Sequence, residues 1–233
     1  MNSETSMFRA GLDDSGAGMA FAVTDQNGTV LFDEFIPHLS RTTANLPQRM
    51  ADLLSAHQLG FQDIAEWSVG AGPGSFTGLR IASAFVMGLA FGKSGSVRTR
   101  CVSTSAMIAA AVPGSPDRVL ILFDGRKKEL LAYGMKKTPT GYREDGFYMV
   151  IRTLDEAQKA VAEYDAAAAP AGDHETVKAL YGGLFAETVF CVDRPSAAAL
   201  IAWAPDDFSR PLTDLLYLRP AVFVEPQKLR SVE

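Results

Sequence analysis

Histidine and cysteine are scarce in this chain, with 3 and 2 residues among 233. His38, His57 and His174 form no i, i+4 pair, and Cys101 and Cys191 have no second Cys or His at ligand spacing. That excludes the common zinc motifs and a disulfide framework, and leaves two buried free thiols as the expectation. No metal is expected. Long apolar runs are missing too. The longest, Ile81 to Phe91, contains Ser83 and Gly88 and falls short of the roughly 20 residues a bilayer span needs. Met1-Asn2-Ser3-Glu4-Thr5-Ser6 carries neither the basic start nor the apolar run of a secretion signal, so the expected compartment is the cytoplasm. Positive charge is in deficit. A net charge of -5 argues against a protein that grips nucleic acid over a broad face. The clusters Arg126-Lys127-Lys128 and Lys136-Lys137 read as solvated turns or strand edges.

An apolar fraction of 47% against 21% charged residues is that of a globular protein with a sizeable core. Residues 7–13 alternate as a strand and lead into the turn Asp13-Asp14-Ser15-Gly16. A second strand at 18–24 is joined through Asn27-Gly28, a hairpin signal, to a third at 29–36. An amphipathic helix follows, with Leu46, Met50, Leu53 and Leu54 on one stripe, Pro47 in its first turn and an end near His57. Strand 66–71 runs into Gly72-Pro73-Gly74-Ser75-Phe76-Thr77-Gly78, then an apolar helix extends to about Phe91, with Gly92 and Gly95 as stop signals. A strand at 97–102 and a helix from Ser103 to Ala111 complete a half of order βββαβαβα.

Pro113-Gly114-Ser115-Pro116 reads as a boundary between two lobes, 1–112 and 113–233, with room for the final residues to pack back on the first. The second half restarts with strands at 118–123, 129–135 and 142–151. A helix from Leu154 to about Tyr164, an Ala-rich linker from Asp165 to Gly172, helices at 175–181 and 196–203 and a short strand at 188–192 follow. Two copies of a three-strand meander with alternating helices and strands are the plan of the actin-like ATPase (ribonuclease H-like) fold, an α/β class.

Three catalytic motifs fail on their own spacing. A nucleophile elbow around Ser75 needs Gly at the positions of Pro73 and Thr77. A P-loop ending in Gly92-Lys93-Ser94 needs Gly where Met87 stands, and would have to open a helix where Gly92 closes one. Asp13 and Asp14 occupy the place where actin-like ATPases put the carboxylate that orients magnesium. The adjoining Ser15-Gly16-Ala17-Gly18 lacks a Lys or Thr pattern suited to phosphate. The glycines at 72, 74 and 78 allow close backbone approach, and Thr77 can cap the following helix. Free N–H groups there could hold an anion; the other reading is a tight turn with no ligand. A weak or vestigial nucleotide site would comprise Asp13, Ser15, Gly74, Ser75 and Thr77, with no cofactor beyond weakly bound ATP. The helix 79–91 has only Arg80 and Ser83 as polar residues, and an all-round apolar helix must be covered on every side.

The run Gly72-Pro73-Gly74-Ser75-Phe76-Thr77-Gly78-Leu79-Arg80 resembles the signature of the TsaB (YeaZ) family. Weaker resemblances flank it in order. They are Phe8 to Ser15 with its opening strand and turn, Ser40-Arg41-Thr42 with the start of its first helix, and Val102-Ser103-Thr104-Ser105 with a strand-to-helix junction. Asp124 to Glu129 resembles a turn, and Pro195 to Trp203 and Tyr217-Leu218-Arg219 resemble C-terminal motifs. Thr43-Ala44-Asn45 stands where the family usually has His-Ser-Glu, and residues 165–190 match poorly. The resemblance implies an accessory chain without an active site of its own. It would dock and stabilise a TsaD-like catalytic chain that transfers threonylcarbamoyl to the adenosine beside the tRNA anticodon. The HxxxH metal pair of that catalytic paralogue is missing here. The implied contact comprises Leu79, Arg80, Ala84, Met87, Gly88 and Phe91, with Leu46 and Met50 of the preceding helix. It would serve a homodimer when the chain is alone. tRNA would be reached only through the complex, and no membrane is involved. The alternatives are a peptidase or small-molecule kinase of the actin-like class, and a homodimer with a diverged role.

Overall fold

The computed structural model describes residues 7–38, 45–93, 96–185, 187–204 and 206–216. Ser40-Arg41-Thr42, Thr43-Ala44, Ser94, Gly95 and Tyr217-Leu218-Arg219 lie outside the described residues.

The first half contains β1 (Phe8–Asp13), β2 (Gly18–Thr24), β3 (Val30–Pro37), α1 (Leu46–Ala56), β4 (Ile64–Gly70), α2 (Phe76–Ala90), β5 (Arg98–Val102) and α3 (Thr104–Ala110). Its sheet runs β3-β2-β1-β4-β5, antiparallel among the first three strands and parallel from β1 through β4 to β5. The second half contains β6 (Arg118–Arg126), β7 (Glu129–Thr138), β8 (Gly141–Ile151), α4 (Leu154–Val161), β9 (Ala166–Pro170), α5 (Ala171–Ala179), β10 (Val189–Val192) and α6 (Ala198–Ala202). Its sheet, β10-β9-β6-β7-β8, repeats the same pattern about β6. This duplicated topology is the actin-like ATPase fold.

Local chemistry explains several of these elements. Asp25 Oδ1 accepts the Asn27 and Thr29 amides at 2.8 Å each, which closes the hairpin around Gly28. Pro47 sits in the first turn of α1, whose Leu46, Met50 and Leu54 are buried. Thr153 and Glu156 form a reciprocal capping box on α4. The cap of α2 is Ser75, whose Oγ accepts the Gly78 amide, rather than Thr77.

Apolar side chains form three layers. On the outer face of the first sheet, Leu12, Phe21, Trp67 and Val69 pack with Met50 and Leu54 of α1 and Val86 of α2. On the outer face of the second, Leu120, Leu122 and Leu130 pack with Ala157, Val177 and Phe185. The layer between the sheets is built on α3 and α6, and the two are exchanged. α3, from the first half, packs on β6 to β9, while α6, from the second, packs on β1, β2 and β4. The segment 206–216 also lies on the first half: Cys101 N donates to Arg210 O at 3.0 Å, Ser83 Oγ to Leu212 O, and Leu216 N to Ala71 O at 2.7 Å.

One expectation is corrected. The Ala-rich stretch after Asp165 is no linker. Ala166–Pro170 is a parallel strand between β6 and β10, with Ala167, Ala168 and Ala169 buried. Alanine has weak strand propensity, but here small side chains let α3 pack against one face and α5 against the other. α5 consequently begins at Ala171 rather than near 175. Among the described residues no helix is long and apolar enough to cross a membrane.

Candidate functional site

The turn after β1 and the glycine-rich loop before α2 meet directly. Asp13 is buried, and both of its carboxylate oxygens accept hydrogen bonds within the chain. Oδ1 accepts the amide and hydroxyl of Ser15, both at 2.8 Å, and Oδ2 accepts Thr104 Oγ1 at 2.5 Å. Ser15 O in turn accepts the Ser75 amide at 2.7 Å. A Cβ on Gly74 would stand 2.5 Å from Ser15 Oγ, and one on Gly78 would overlap the Asp14 carbonyl oxygen. The glycines are therefore required by contact between two segments of this chain. The amides of Gly72 and Gly78 donate to Thr104 Oγ1 and Ser75 Oγ, and that of Leu79 donates to Ser75 O. These amides, with that of Ser75, hold the loop against the turn and the helix starts.

Asp14 is different. Its side chain is 1% exposed, and neither oxygen has a well-aligned donor among the described residues. His38 Nε2, at the end of β3, lies 3.2 Å from Oδ1. Burial, and secondarily the neighbouring Asp13, raise the Asp14 carboxyl to about 7, against a smaller pull from Arg49 of α1. Burial, then Arg49, lowers His38. The second half has an analogous turn. Asp173 at the start of α5 accepts the Asp124 amide at 3.2 Å, and burial raises its carboxyl to about 6. In that turn Arg126, Lys127 and Lys128 all adopt positive φ. A hollow of about 350 Å³ lies at the far end of β1 from Asp13, lined by Met7, Phe8, Arg9, Gln26, Asn27, Ala65 and Glu66.

The sequence-predicted residues thus fall into three places. Asp13, Ser15, Gly74 and Ser75 come together where the turn meets the loop, with Asp13 and Ser15 buried and Ser75 exposed, while Thr77 is exposed on the first turn of α2. Ala84, Met87, Gly88 and Phe91, with Arg80, are exposed on α2. The remaining three present no surface: Leu79 is 1% exposed, and Leu46 and Met50 sit in the core at 3% and 0%. The expectation that these three lie on an exposed face is corrected accordingly. The exposed stripe of α2 is Phe76, Arg80, Ala84, Met87 and Gly88, continued by Phe91 just past its end, since the other stripe of the helix is spent on its own sheet. Phe76, Met87 and Phe91 are 42%, 48% and 88% exposed, and the Arg80 guanidinium lies 3.7 Å over the Phe76 ring. Two participants escaped sequence reasoning. Thr104 belongs to the strand-to-helix junction noted as a motif, but its bond to Asp13 spans 91 positions. Nothing in the spacing connects His38 with Asp14.

The fold defines the class: it is the actin-like ATPase fold. Within it, the chain belongs to the family described as TsaD: tRNA N6-adenosine threonylcarbamoyltransferase, which matches residues 37–179, more than half of its length. Among solved structures it is similar to a protein described as similar to peptidase YEAZ from Pseudomonas aeruginosa. That match is 24% identical, with a TM-score of 0.69, over 91% of this chain and 100% of that one. It is also similar to YeaZ from Pseudomonas aeruginosa, at 23% identity and a TM-score of 0.65 over 85% and 93%. Comparison with the curated proteins gives no match.

Proposed function

We propose that this chain is a non-catalytic partner subunit that docks and stabilises a TsaD-like catalytic chain in threonylcarbamoyl transfer to tRNA. The observation that carries the reading is the exposed apolar face of α2, directly after a loop whose Gly72 and Ser75 amides are committed to Thr104 and Ser15. Phe76, Met87 and Phe91 offer large apolar surface beside Ala84 and Gly88, which allow close approach by another helix. Family membership supports the identity of the partner. The engaged carboxylate of Asp13 supports assigning nucleotide and transfer chemistry to that partner.

The test is co-purification from the native host. A tagged chain should retain a TsaD-like protein through size exclusion, and Met87→Asp with Phe91→Asp should release it. Recovery of the chain as a self-associated species without such a protein, at native expression levels, would replace this reading with a homodimer of diverged role.

A further inference from the structure

One row of residues crosses the entire first sheet on the face toward α6. The strand registers pair Asp33 with Ala22, Ala22 with Gly11, Gly11 with Ser68, and Ser68 with Arg100. These five belong to β3, β2, β1, β4 and β5 in spatial order. The row is acidic at one end, basic at the other and small in the middle.

α6 is seated on it with matching polarity. At its amino end, Asp33 accepts the Ser196 hydroxyl and the Ala197 amide, the latter at 3.1 Å. In the middle, a Cβ on Gly11 would overlap the Ala197 carbonyl oxygen, so only glycine admits the helix at this depth. At the carboxyl end, Arg100 is 1% exposed and all its N–H groups are used. Nε donates to Ser68 Oγ at 2.8 Å, and Nη1 to Ala204 O and to Asp207 O, the latter at 3.1 Å. Nη2 donates to Leu200 O at 3.2 Å and Ile201 O at 2.7 Å. The last carbonyls of a helix have no intrahelical partner and carry its negative dipole end. A buried cation held by carbonyls rather than by a carboxylate is the matching half of that arrangement. Burial brings the guanidinium down to about 10, still charged at neutral pH.

The seat matters because α6 belongs in sequence to the other half. It packs on α3, which rests on the second sheet. Just beyond it, Trp203 O accepts Arg143 Nε of β8 at 3.3 Å, with the Arg143 guanidinium 4.8 Å from the Trp203 ring. We propose that the row Asp33–Ala22–Gly11–Ser68–Arg100 is a latch that welds the two halves, so that they do not hinge apart short of global unfolding. The polarised seat opposes any parting of the two halves.

Hydrogen exchange of the full chain, followed by peptide mass spectrometry, tests this. In the unaltered chain, amides of 196–204 should exchange as slowly as those of β1 and β6. Arg100→Met leaves four carbonyls and Ser68 without their donor, and should speed exchange in 196–204 at least tenfold relative to β6 and β7. Asp33→Asn, at the exposed end, should fold normally and speed the first turn of α6 alone, by a few fold. That second variant decides the matter if Arg100→Met does not fold. The latch is overturned if 196–204 exchanges like a solvated loop in the unaltered chain. It is equally overturned if its exchange stays in step with β6 and β7 in every variant that folds.

Discussion

His38 Nε2 lies 3.2 Å from Asp14 Oδ1, in a place where the Asp14 side chain is 1% exposed. Burial opposes charge on both groups, which favours a proton on the Asp14 carboxyl and disfavours a second one on His38. An unfolded Asp14 would lose that proton near 3.8, whereas the folded carboxyl keeps it to about 7. The folded state therefore binds more protons between these values. The associated stability is complete below about pH 4 and is lost as pH rises to 7. Asp14→Asn should flatten this decline by roughly 1–3 kcal/mol between pH 5 and pH 8, as read from urea denaturation. Part of the slope should persist, because Asp173 is raised to about 6 in the same direction. Equal slopes in both proteins would show that Asp14 is not the titrating group.

Two glycines of α2 should respond oppositely to the same change. A Cβ at Gly78 meets backbone, the Asp14 carbonyl, which cannot rotate away, whereas one at Gly88 meets nothing within 4 Å. Gly78→Ala should cost roughly 3 kcal/mol or more, lowering the melting temperature by about 6–12 °C. Gly88→Ala should instead stabilise the helix by about 0.5–1 kcal/mol. Thermal unfolding by circular dichroism reads both, and equal shifts would remove the contact as the reason for glycine at 78.

The exposed face of α2 can be tested without a partner in hand. Ala84→Arg and Gly88→Arg place a large cation on a surface that is already solvated in the single chain. Melting should shift by less than about 0.5 kcal/mol equivalent for Ala84→Arg and should not fall for Gly88→Arg, which removes a helical glycine, while any association through this face is lost by size exclusion. Cooperative melting lost in both variants would mean that the face is internal. An unchanged oligomer would move the contact off α2.

Nucleotide should find little to hold at Asp13. Both of its oxygens already accept from Ser15 or Thr104, and the loop amides of Gly72 and Ser75 are committed to Thr104 and Ser15. Calorimetry with Mg-ATP should give no micromolar binding to the isolated chain. Asp13→Asn should lower stability by about 1.5–3 kcal/mol through lost charge-assisted bonds. Micromolar binding that Asp13→Asn abolishes would reopen the turn as a working site.

The element order was legible because each meander and its turns carry local signals: Asn27-Gly28, Pro47, and Gly72 to Gly78. The glycine-rich run could be placed but not interpreted. The same glycines serve a phosphate cradle or a tight contact, and only the approach of Ser15 to Gly74 separates the two.

By itself, the sequence determined two three-strand meanders, the amphipathic helices and the low positive charge, since these depend on neighbours a few positions apart. Tertiary structure alone decided three other things. It made the alanines of β9 a central strand, because two helices needed a low surface there. It buried Leu46, Met50 and Leu79 while leaving Met87 and Phe91 in solvent, because the sheet covers one side of α2 and nothing among the described residues covers the other. It aligned positions 33, 22, 11, 68 and 100 under one helix. Strand register creates that row, and register relates residues by pairing across strands, which no spacing along the chain records.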